Sequence, residues 1–161
     1  MAGPRRRSRE VALQILHQVD VAGDGDASGA ISHYFAHLAT AGGPALDDES
    51  ADEVVSGGAR AARIDRPLVE ELVRGVVTHH AELNELLAAL SKNWRLERIG
   101  VVERNVIRIA LYELRYCEPV PVNVVLNEAV ELAKRYGTSE GAAFVNGLLE
   151  RAVGEGVRPR G

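Results

Sequence analysis

Sulfur and aromatic rings are scarce in this chain. A single cysteine, Cys117, makes an internal disulfide impossible, and one thiol alone suits a reducing cytoplasm. Aromatic residues make up only 4% of the sequence. Sheets tend to recruit aromatics, so this shortage argues against a β core. No apolar run approaches the ~20 residues needed to span a bilayer, and the N-terminus shows no apolar stretch of the secretory kind. A cytoplasmic chain without membrane contact is expected. Catalytic patterns are missing too: there is no Gly-rich phosphate loop, no Cys pair and no nucleophile elbow. His79 and His80 are adjacent, which on a helix points them about 100° apart and makes a poor metal pair. The expectation is a protein with no enzymatic activity, cofactor or metal site.

The apolar 46% of the 161 residues comes mostly from Ala, Val and Leu. Ala and Leu are strong helix formers, and a chain of this length reads most simply as one domain, residues 1–161. Ala12, Ile15, Leu16 and Val19 fall at helical spacing, with Pro4 and Ser8 where a helix start would have them. A Gly-rich loop at 22–30 leads to a second amphipathic piece, with Ile31, Tyr34, Phe35 and Leu38 on one face. Residues 41–63 lack periodicity and are rich in Gly, Ala, Asp and Glu, which reads as a flexible insertion or long loop. Asp65 is a candidate N-cap with Pro67 in the first turn. From there one stripe, Leu68, Leu72, Val76, Leu83, Leu86, Leu87 and Leu90, continues to about residue 92. Ile99, Val102, Val106, Ile109, Ala110 and Leu114 mark the next helix, which the prolines of CEPVPV end. Val122, Leu126, Ala129, Ala133 and Tyr136 mark another, with Gly137 at its C-terminal end. Thr138 or Ser139 caps the last, built on Phe144, Val145, Leu148, Leu149 and Val153. No strand pattern and no internal repeat is found.

Polar residues interrupt these apolar runs. Arg108 and Glu113 lie within IRIALYEL, Asn127 and Glu128 within VVLNEAVEL, and Asn146 within AFVNGLLE. Buried charge is tolerated only when paired. These groups are expected to pair across helices, as Arg108 could with Glu128, or to meet a partner.

Charge is unevenly spread. Residues 1–10 hold four arginines and one glutamate, a net +3, so the other residues carry −7 of the total −4. Residues 1–7 read as a flexible Arg-rich tail. Cations at a helix N-terminus oppose its dipole by ~0.3–1 kcal/mol each. The arginines do not help the helix, which points to an external anion, while the acidic remainder suits a basic partner.

The stretches RRRSREVALQIL, LVRGVV, LERIGVVERNVIRIALYEL, PVNVVLNEAVELAKRYG and FVNGLLERAV resemble the NusB family of bacterial transcription antitermination factors. The likeness covers residues 5–20 and about 66–153. It implies an all-α bundle of about seven helices in two subdomains. It further implies binding of the single-stranded boxA element of ribosomal leader RNA, together with NusE, a small-subunit ribosomal protein. That assembly joins an RNA polymerase elongation complex with other Nus factors. Family members include monomers and homodimers, so the oligomeric state stays open. A similar helical core also begins certain ribosomal RNA methyltransferases, for whose catalytic domain this chain is expected to have no room. Carried over residue by residue, the resemblance assigns RNA contact to Arg5, Arg6, Arg7 and Arg9, and to Glu140 and Phe144 at the start of the last helix. It assigns NusE contact to His17, Glu97 and Glu103. His17 stands where the family often has an aromatic residue, and Ala142 and Ala143 stand where a basic or polar residue is common.

Overall fold

The structure, a computed structural model, describes residues 4–41, 64–91, 99–117 and 120–157. Among these residues the chain forms seven α-helices and no strand: α1 (Pro4–Ala22), α2 (Ala27–Ala41), α3 (Arg66–Thr78), α4 (His80–Leu90), α5 (Val101–Tyr116), α6 (Val122–Tyr136) and α7 (Ser139–Gly154). This is the expected all-α bundle. The chain divides into two compact units, Met1–Val73 and Arg74–Gly161, and the division falls inside α3. Helix α1 reaches back to Pro4, so residues 4–7 form its first turn. Residues 1–3 of the expected tail and 42–63 of the expected insertion lie outside the described residues.

In the first unit, Val11, Ala12, Ile15, Leu16 and Val19 put a buried stripe on α1. Helix α2 packs on α1 and buries Ile31, Phe35 and Leu38. Gly23 ends α1 at φ 72°, its N–H donating to the Val19 carbonyl at 2.9 Å. Only a residue without Cβ takes that left-handed turn cheaply. Asp26 Oδ1 then accepts from Gly29 N at 2.9 Å and opens α2. Asp65 caps α3 as its position suggests, accepting from Leu68 N at 3.2 Å. Its own N–H donates to Ser8 Oγ at 2.9 Å. Ser8 is therefore no helix start. It lies inside α1, fully buried, and ties the arginine-bearing turn to the head of α3. The Arg66 guanidinium sits 4.4 Å from the Phe35 ring centre, a cation–π contact between α3 and α2.

Helix α5 is the centre of the second unit. Every residue from Asn105 to Leu114 is buried, and α4, α6 and α7 all pack against it. Helix α6 contributes Val125, Ala129, Leu132 and Ala133, and α7 contributes Ala142, Val145, Leu148, Leu149 and Ala152. Each buried Val or Leu is worth about 1.5–3 kcal/mol. Arg108, buried in α5, has partners on α4 and on its own helix. Arg108 donates from Nε to Asn84 Oδ1 at 3.0 Å and from Nη1 to Asn105 Oδ1 at 2.9 Å, which links α5 to α4. Glu113 is buried, Glu128 and Asn146 are half-buried, and Asn127 is exposed. The stripe continuing to about residue 92 is two helices. His79, at φ −99° and ψ 20°, separates α3 from α4.

Candidate nucleic-acid interface

The arginine cluster occupies a helical turn held from within. Arg5 is exposed, Arg6 and Arg7 are half-buried, and Arg9 is 2% exposed. The buried Ser8 beside them holds the Asp65 amide. Arg5, Arg6 and Arg7 are thus on a defined scaffold, while Arg9 belongs to the packed side of α1. First-turn N–H groups of a helix point outward without intrahelical acceptors. With arginine forks next to them, they make a surface suited to phosphate.

The second candidate patch lies at the start of α7, in the other unit. Thr138 is the N-cap, accepting from Gly141 N through Oγ1 at 2.9 Å. Glu140 is exposed in the first turn, and Phe144 is half-buried one turn on. Glu103 reaches this turn from α5. It is only 7% exposed, and its Oε1 accepts from Thr138 N at 3.3 Å. Three glycines leave room for it. A Cβ on Gly137 would stand 2.5 Å from Glu103 Oε1 and 2.9 Å from the Ala133 carbonyl oxygen. A Cβ on Gly141 would collide with the same Oε1, and one on Gly100 with Oε2. Gly137 has φ −111°, so here glycine is required by space and not by a left-handed backbone.

Of the expected partner residues, His17 is exposed on α1, Glu103 is buried as described, and Glu97 lies outside the described residues. Val21 is a residue that sequence reasoning missed. It lies four positions beyond His17, on the same helical face, and is 72% exposed. The available signal was an apolar residue off the buried stripe of α1.

Two further clusters carry polar groups. A groove of about 610 Å³ between α1 and α2 is walled by Ile15, Val19 and Tyr34, with Asp24, Asp26, His33 and His37 around it. Asp24 and Asp26 accept backbone N–H bonds of the loop, and the two histidines stack on each other. In the second unit His79 stacks on Tyr116 with ring centres 4.2 Å apart, and Glu82 joins Tyr116 and Arg115. Among the described residues no group of three or more His, Cys, Asp or Glu is placed to hold a metal ion. None of their helices is long and apolar enough to cross a membrane.

Comparison with known proteins identifies the family. Residues 6–153 match the NusB family. The transcription antitermination protein NusB of Bacillus subtilis strain 168 is 41% identical over 145 residues, covering 90% of this chain and 91% of that protein. The protein of the same name from Anaeromyxobacter dehalogenans strain 2CP-1 is 40% identical over 159 residues, covering 99% and 96%. The solved structure of NusB from T. maritima superposes with a TM-score of 0.71 at 31% identity, covering 96% of this chain and 94% of that one. A shared fold, a family match over almost the whole chain and about 40% identity to named members leave one conclusion: the chain belongs to the NusB family, and it is a transcription antitermination factor and not an enzyme.

Proposed function

We propose that this chain binds single-stranded boxA-type RNA of ribosomal leader transcripts together with NusE, in the cytoplasm, and so joins RNA polymerase and other Nus factors in an antitermination complex. The observation that carries this reading is the arginine turn of α1. Arg5, Arg6 and Arg7 reach the surface from a turn held by the buried Ser8–Asp65 hydrogen bond. Placing cations there opposes the helix dipole, a cost that an RNA phosphate reverses. Arginine also stacks on unpaired bases, which suits single-stranded RNA. Arg9, being buried, supports the turn from inside.

The start of α7 is the second RNA contact in this reading. Phe144, half-buried, offers its ring to one base, with stacking worth ~1–3 kcal/mol. NusE docks on the exposed His17–Val21 face of α1. Its basic character is steered by the acidic remainder of the chain.

The test is a salt titration. RNA affinity of the wild type should fall steeply with salt. Replacing Arg5, Arg6 and Arg7 by alanine should weaken binding and flatten the slope by about 0.7 for each phosphate no longer neutralised. A variant with an unchanged slope would remove the arginines from the RNA site.

A further inference from the structure

We infer that Glu103 is a positioning residue for the RNA-contacting end of α7. The inference deepens the proposed function and rests on its assignment of RNA contact to the start of α7.

Glu103 stands in the first turn of α5, three residues after the N-cap Gly100. A carboxylate at that position commonly reaches back toward the N-cap, and Oε2 is the atom that a Cβ on Gly100 would strike. Its other oxygen, Oε1, accepts from Thr138 N, and Thr138 is the N-cap of α7. One carboxylate thus lies between the positive ends of two helices, where negative charge is stabilised. It is only 7% exposed. Burying a carboxylate is costly without hydrogen bonds, so this geometry persists only while the α6–α7 turn stays where it is.

The glycines point the same way. Gly100, Gly137 and Gly141 come from three places in the chain, and a Cβ on any of them would meet Glu103. None of the three has a positive φ. What they share is room for one side chain. The first turn of α7 carries Glu140, and its second carries Phe144. The carboxylate fixes the cap from which both residues are set.

The experiment is a mutant cycle read by RNA anisotropy. Wild type, Glu103→Ala, Phe144→Ala and the double variant are titrated on boxA RNA. Arg5→Ala, alone and with Glu103→Ala, serves as the control pair. Glu103→Ala should weaken RNA binding by no more than the removal of one stacked base, roughly five- to 140-fold. In the Phe144→Ala background it should add little, because both changes act on the same base. With Arg5→Ala the effects should multiply, as for independent sites. Glu103→Gln, which keeps an acceptor for Thr138 N, should restore most of the affinity. General destabilisation would not produce coupling to Phe144 alone. If Glu103→Ala fails to fold, Gly141→Ala displaces the carboxylate with its charge kept, and should show the same coupling. Effects that multiply with Phe144→Ala, or a defect confined to NusE binding, would overturn the inference. If Phe144→Ala alone leaves RNA binding unchanged, the assignment of RNA contact to α7 fails first, and the positioning role falls with it.

Discussion

Gly75 shows how one residue sets how closely two helices approach. It is buried in α3, and a Cβ there would run into the Tyr112 ring of α5. Gly75→Ala should therefore cost about 1–3 kcal/mol, as overpacked cores do. Urea unfolding checks this, and Tyr112→Ala should cost less in the Gly75→Ala background than in the wild type. A second residue-scale prediction concerns Tyr116. Its hydroxyl donates to Glu82 Oε2 at 2.6 Å. That bond, with desolvation and the Glu82 charge adding to it, raises the phenol above its ordinary value of 10.0. The stabilisation belongs to the protonated phenol. It is fully present below the ordinary value and is lost as pH rises through the raised one. Tyrosinate absorbance should show a late-ionising tyrosine that titrates earlier in Glu82→Ala. Glycine roles of this kind were hard to read in the sequence. Gly137 is legible as a helix terminator, but its reason is a carboxylate that arrives from residue 103.

At the scale of the element, locally encoded features were the legible ones. Asp65 as cap, Thr138 as cap and the apolar stripes each depend on neighbours within one or two turns. The break between α3 and α4 was not legible. Thr78, His79 and His80 include no Gly or Pro, and Leu72, Val76, Leu83 and Leu87 stay in helical phase across it. His79 leaves the helical region by a small rotation, one that bridge conformations allow without strain, so the stripe hides the boundary. Ser8 is the opposite case. Its residue type suggests a cap, yet its hydroxyl serves an amide 57 positions away. No local pattern reports such a contact. For the same reason the burial of Arg9 and Glu103 was out of reach, because nothing in spacing separates a surface charge from one enclosed by packing.

For the whole molecule, the fold places two kinds of surface on two units of one chain. The first unit carries the arginine turn and the exposed His17–Val21 face; the second carries the capped start of α7. In the proposed function each RNA contact is modest by itself, and affinity comes from engaging both together with NusE, since linked sites act at high effective concentration. The most direct test is anisotropy on labelled boxA RNA, with and without cognate NusE, against a scrambled RNA of equal length. Selective binding to boxA that tightens when NusE is added is the predicted result. Weak binding that is equal for both RNAs and indifferent to NusE would contradict the account, leaving the family fold without the proposed assembly.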